Sequence, residues 1–239
     1  MGRVAELGSL GGIRTPHFMT HFYVPTESPE DWRRLLADPD KHWRDGYSAK
    51  MLATCWQSAG GFPAEVTASF RASATPLIQE LEFVAGFPEH KVELPGGRRP
   101  SQTDIMVLAR AGRDLAAVAV EGKVEESFGE LVGSWRQHDS EGKTERLAYL
   151  TELLGLRGRD LDGIRYQLLH RTASALLTAE RFAARHAVML VHSFSSKRTG
   201  FDDYAAFLQL FDLKATTGTV QRATTARGTE LYFSWTLGV

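Results

Sequence analysis

Cysteine is almost absent from this chain: Cys55 stands alone among 239 residues. No intramolecular disulfide and no cysteine-based zinc site is therefore expected. Long apolar runs are missing as well. None approaches the roughly 20 residues that span a bilayer, and the N-terminus lacks the basic head and apolar stretch of a signal peptide. Neither sign of charge is in excess, with 28 Lys and Arg against 29 Asp and Glu. That balance excludes a global basic field of the kind that drives nonspecific nucleic-acid binding, although a local basic groove would suffice. Repeats and low-complexity segments are also lacking. What remains is an ordinary globular composition, long enough to bury one full core with a small appendage. A cytoplasmic protein without a membrane partner is the expectation.

Turn chemistry and periodicity divide the chain. Residues 1–18, with Gly8, Gly11, Gly12 and Pro16, predict a loose tail, and residues 20–24 a short strand. Residues 19–74 predict an N-terminal helical addition. Its first helix covers 29–37, with Ser28 as N-cap and Pro29 at the first helical position. A second covers 48–59, where Met51, Leu52, Cys55 and Trp56 recur at helical spacing before Gly60-Gly61, and a third covers 63–70. Residues 75–239 predict the core. It opens with a helix over 75–85 and a strand over 90–94, followed by a Pro95-Gly96-Gly97 turn. Apolar runs at 105–108 and 115–120 then form a hairpin. Helices follow at 144–154 and 164–185, a β run at 187–191, a helix at 201–211, and a closing hairpin of 219–223 with 230–237. This order predicts an α/β (α+β) sandwich, a central mixed sheet flanked by helices.

The chemistry concentrates where the run 115–120 ends in Glu121-Gly122-Lys123. Gly112-Arg113 suits a two-residue II′ turn, and residues whose numbers sum to 225 then face each other. Asp104 lies opposite Glu121 and Gln102 opposite Lys123; a four-residue loop gives the same register. The two-residue period of a strand puts Lys123 on Glu121's face. Two carboxylates and a lysine converge, and a bound cation is the natural reason to tolerate such close like charges. About one Glu-x-Lys is expected by chance in a chain this long. The chain carries its own control, Glu141-Gly142-Lys143, which no apolar run precedes and which predicts a solvated loop.

Asp on the second strand of such an order, with Glu-x-Lys ending the third, resembles the PD-(D/E)XK nuclease superfamily over about residues 75–195. The whole chain is also similar to a group of uncharacterised bacterial proteins with stretches like His42-Trp43-Arg44-Asp45-Gly46-Tyr47-Ser48-Ala49 and Tyr166-Gln167-Leu168-Leu169-His170-Arg171-Thr172. The first resemblance implies a restriction-endonuclease-like core and a nuclease that uses Mg²⁺ or Mn²⁺ on a nucleic acid, DNA in the first instance. Its metal-binding acids would be Asp104 and Glu121, its lysine Lys123, its first-helix glutamate Glu80 or Glu82, and its fourth-motif residue Gln167. Thr103, not Pro, precedes Asp104. A non-catalytic module of the same fold, binding protein or nucleic acid and forming a homodimer, is the competing expectation.

Phosphodiester hydrolysis needs charge neutralisation at the phosphoryl oxygens and an activated water, which a Mg²⁺ on carboxylates supplies. The backbone carbonyl of Gly122 is a plausible further ligand, and Lys123 could position the water or stabilise developing charge. On the long helix Gln167, His170, Arg171 and Ser174 make a polar stripe, either aimed at the phosphate or solvated. Arg98-Arg99 and Lys197-Arg198 suit flanking phosphates or plain solvent. His192 and Ser193 end a core strand, Glu125 and Glu126 follow the lysine, and His17-x3-His21 has ligand-like spacing within the tail.

Overall fold

Runs 116–120 and 187–191 are almost wholly apolar, the pattern of strands covered on both faces. They form the centre of the fold in the computed structural model, which describes residues 23–24, 26–137, 140–223 and 228–238. The helices are α1 (Glu30–Arg33), α2 (Pro39–His42), α3 (Ser48–Ala59), α4 (Ala64–Arg71), α5 (Pro76–Gln79), α6 (Val132–Trp135), α7 (Glu141–Leu153), α8 (Tyr166–Arg181) and α9 (Phe201–Gln209). The strands are β1 (Glu82–Val92), β2 (Ser101–Ala111), β3 (Asp114–Lys123), β4 (His186–Ser193), β5 (Val220–Ala223) and β6 (Glu230–Leu237). They make one mixed sheet in the order β1-β2-β3-β4-β6-β5, with β3, β4 and β6 parallel and the other pairs antiparallel. The fold is thus the α/β sandwich expected, a mixed sheet flanked by helices.

Side-chain alternation sorts the sheet into two cores. Met106, Ala117, Ala119, Met189 and Phe233 meet the apolar stripe of α8, including Leu169, Ala173 and Leu176. Ile105, Val107, Val118, Val120 and Leu190 meet Trp32, Leu52, Trp56, Val66 and Phe70 from α1, α3 and α4. The N-terminal helices therefore share a core with the sheet. Each such buried large side chain contributes about 1.5–3 kcal/mol of transfer free energy.

The β2–β3 hairpin has the expected register, from Ile105↔Val120 to Ala111↔Asp114. Gly112 supplies the turn's positive φ of 59°. The helix over 48–59 is α3, closed by Gly60 in the left-handed region.

Other expectations are corrected. The helix over 75–85 shrinks to α5, and the strand expected at 90–94 starts eight residues earlier, at Glu82. Gly86 and Pro88 oppose a helix there, while Phe83, Val84, Phe87 and Val92 suit a strand. Pairing with β2 then decides the outcome. The first helix stops at Arg33, and Asp38 caps a separate α2 by accepting from the Lys41 amide. Glu141-Gly142-Lys143 is no loop: it opens α7, with Ser140 as N-cap. The tail, and His17 and His21 in it, lie outside the described residues, as do residues 20–22 of the expected N-terminal strand. Tyr23 and Val24 are not strand, although the Tyr23 amide donates to the Gly86 carbonyl at 3.1 Å. Among the described residues, no helix is long and apolar enough to cross a membrane.

Candidate functional site

Ala117 and Ala119 face α8, so strand alternation sends Glu121 and Lys123 to the same side. Both are buried, at 2% and 4% exposure. Lys123 Nζ donates to Glu121 Oε1 at 2.7 Å and to Gln167 Oε1 at 3.1 Å, while Gln167 Nε2 donates to Glu121 Oε1 at 2.6 Å. Arg171, one turn further along α8, donates from Nε to Glu121 Oε2 at 2.5 Å. The helical stripe thus faces the sheet: Arg171 and Ser174 are buried and Gln167 half-buried. Asp104 comes in from β2, its Oδ2 accepting from the Gly122 amide at 2.8 Å. Of Gly122 it is the N–H that meets the site's acid, and an added Cβ there would lie 3.3 Å from Leu52.

A third carboxylate joins them from β1. Pro88↔Ile105 and His90↔Thr103 bracket Glu89, which places it opposite Asp104. Glu89 Oε2 accepts from Gln102 Nε2 at 2.7 Å. Glu80 and Glu82 are not this acid. Glu80 ends α5, exposed, and Glu82 pairs with Arg110 at 2.9 Å at the opposite end of β1. Seven residue steps along the strand, about 23 Å, separate Glu82 from Glu89.

These groups line a cavity of about 470 Å³. Five carboxylates line it, against the cations of Lys123 and Arg171. The electrostatics follow from that imbalance. Burial, then the Glu121 charge, pushes Asp104 up to about 7. Burial and the Asp104 charge hold Glu89 well above the usual carboxylate range. For Glu121 burial acts upward too, but Arg171 and Lys123 together outweigh it and leave the group low. His170 is kept well below the usual imidazole range by burial and by Arg171, Arg146 and Lys123. Arg171 Nη1 can only donate, and it points at His170 Nδ1 at 3.2 Å, so the ring's proton sits on Nε2.

The donor set suits a hard divalent cation. Asp104 Oδ1 and Glu89 Oε1 take part in none of the hydrogen bonds among the described residues. A carboxylate offers about four lone-pair sites, so Glu121 keeps one on Oε2 beyond its three donors. Among the described residues the ligand atoms of Cys55, Glu65 and His192 lie within 4.8 Å of one another, a closeness that these acids do not reach.

The Cys55 group is a poorer metal site despite its tighter geometry. Trp56 Nε1, a donor only, points at His192 Nδ1 at 3.0 Å, so the ring's proton must sit on Nε2, where it is donated to Glu65 Oε1 at 3.1 Å. A metal at Nε2 would need that proton removed, with Nδ1 already committed. Burial, followed by Glu65, also pushes the Cys55 thiol up to about 12, far from the thiolate a metal requires. His192 therefore faces the N-terminal helices, across the sheet from Glu121.

Of the other candidates, Glu126 accepts from the Ser48 and Val124 amides at 2.8 and 2.9 Å, tying α3 to the segment after Lys123. Glu125 accepts from Thr199. Arg98 and Arg99 are exposed on a loop clamped by Arg146, which donates to the carbonyls of Leu94, Pro95 and Arg99. Lys197 and Arg198 are exposed. Sequence reasoning missed Glu89 and the part played by Glu126, and left Arg171 undecided between site and solvent.

No curated protein and no solved structure matches the chain. Residues 25–239 match a family model described as a domain of unknown function, DUF6946, and the chain belongs to that family.

Proposed function

We propose that this protein is a Mg²⁺- or Mn²⁺-dependent phosphodiesterase acting on nucleic acid, with a PD-(D/E)XK-like core. One observation carries the reading: Glu89 and Asp104 face each other, each with an oxygen to spare, beside the buried Glu121–Lys123–Arg171 network. Asp104, Glu89 and the remaining lone pair of Glu121 would hold the cation. When bound, it supplies charge neutralisation at the phosphoryl oxygens and activation of a water. The chain's own groups do the rest. Lys123 has three N–H donors; two hold Glu121 and Gln167, Nζ also lies 4.7 Å from the Phe128 ring centroid, and the third N–H would serve a water or a phosphoryl oxygen. Gln167 fixes the lysine's direction, and Arg171 fixes the Glu121 carboxylate. His170 offers a neutral Nε2–H donor at the wall.

The satisfied state of Glu121, with three donors and no ion, favours a second reading, a binding module of this fold that does not cleave. Incubation of the protein with DNA and RNA in Mn²⁺ separates the two. Cleavage that Asp104→Asn and Glu121→Gln each abolish, with the fold intact by circular dichroism, supports hydrolysis. Undiminished cleavage in both variants rejects the site, and no cleavage of any substrate leaves the binding module.

A further inference from the structure

The stretch His42 to Ala49 packs Trp43 against the N-terminal core and leaves its other aromatic, charged and small residues outside both cores. It stands at the mouth of the acid cavity: His42, Ser48 and Ala49 line it, together with Leu36 and Ala37 just upstream. Opposite stand the first two turns of α8, and the segment after β3 makes a third wall with Phe128 and Trp135. The wall is fixed in place. Glu126 accepts from the Ser48 amide at 2.8 Å, Gln102 Nε2 donates to the Leu35 carbonyl at 3.4 Å, and Leu52 of α3 packs close on β3, 3.3 Å from where a Cβ at position 122 would stand. Trp135 is packed face to face on Tyr166, ring centroids 4.1 Å apart, which stiffens the far side.

A cavity of about 470 Å³ walled on three sides has the size of a small-molecule site. Duplex DNA cannot follow it inward, since its persistence length of about 50 nm makes it a rod on this scale. An unpaired nucleotide can enter, and taking one from a duplex costs a few kcal/mol of unstacking. Resting on the phosphodiesterase reading above, we infer that the site takes unpaired strands, as single-stranded nucleic acid or a frayed strand end, and excludes the interior of a closed duplex. Leu36, Ala37, His42, Ser48 and Ala49, which form that wall, are the selecting element.

Binding and cleavage test this separately. Fluorescence anisotropy in Ca²⁺ compares a labelled single strand of about 20 nucleotides with a blunt duplex of the same sequence, and cleavage in Mn²⁺ adds a covalently closed circular duplex. The expected result is at least about tenfold tighter binding of the single strand, faster cleavage of it, and an intact circle. Ala49→Trp, which fills the mouth from the half-buried start of α3, should lower single-strand affinity about tenfold with an unchanged melting curve. Equal binding of both forms, a circle cut as fast as the single strand, or an Ala49→Trp variant that binds normally would each overturn the inference. Selective binding without cleavage would reject the hydrolytic reading and leave the selectivity standing; no binding of either form would reject both.

Discussion

Glu89 lies directly across the β1–β2 ladder from Asp104, with its backbone in the left-handed region at φ 53°. A glutamate in that conformation costs about 1–3 kcal/mol. It also faces a like charge, so two unfavourable features meet at one position. The cation site proposed above would account for such a coincidence. Glu89→Gly should relieve both, raising unfolding free energy by about 1 kcal/mol in urea while abolishing divalent-cation binding. A destabilised Glu89→Gly protein would show that the position serves the fold instead.

The raised acids predict an unusual pH dependence. Asp104 titrates near 7 in the folded chain against about 3.8 unfolded, so between those values the folded state binds the extra proton. Stability of the metal-free protein should be fully supported below about pH 4 at this site, fall as pH rises toward 7, and lose nothing further above it. Thermal melts in EDTA at pH 5.5 and 8 check this. Asp104→Asn should raise the melting temperature at pH 8 by several degrees, and by less at pH 5.5.

Arg171 neutralises a carboxylate whose side chain is 3% exposed. Replacing it with Leu leaves Glu121 with Lys123 and Gln167 alone in a buried setting. A loss of about 3–5 kcal/mol in urea unfolding is expected. Arg171→Lys should recover only part of it, because one ammonium cannot reach Glu121 and Ser101 in the geometry of the guanidinium.

The Cys55, Glu65 and His192 group should behave as structure and not as a metal centre. With its thiol pushed up to about 12, Cys55 should resist iodoacetamide at pH 8 in the folded protein and react at once in denaturant. Zinc should leave the melting temperature of the wild type unchanged. A zinc-dependent rise that Cys55→Ser removes would contradict the tautomer that Trp56 imposes on His192.

Much of the site was legible because strands obey simple arithmetic. Gly112-Arg113 fixed the register that brings Asp104 to Glu121, and the apolar run before Glu121 set it apart from the copy at Glu141. Gln167 followed from helical spacing. The same arithmetic applied to the Gly96-Gly97 turn, where paired numbers sum to 193, would have put Glu89 opposite Asp104. It was not available once residues 75–85 read as a helix and the strand as starting at 90. Leu77, Ile78, Leu81 and Val84 do recur at helical spacing, yet β2 needs a partner along its outer edge, and a strand from Glu82 supplies it. Local periodicity carries no record of that demand. Nor could spacing reveal that Glu126 caps Ser48 from 78 residues away. His42 to Ala49 acquires its meaning only when the fold sets it beside the acids.

The most direct test of the account is calorimetric titration of Mn²⁺ into the wild type, Asp104→Asn and Glu89→Gln at pH 8. One divalent site in the wild type, lost in both variants, is the predicted result, with a matching thermal stabilisation of about 2.7 kcal/mol at a hundredfold excess over Kd. No binding to the wild type, or equal binding to all three proteins, would contradict a cation centre built on Glu89 and Asp104.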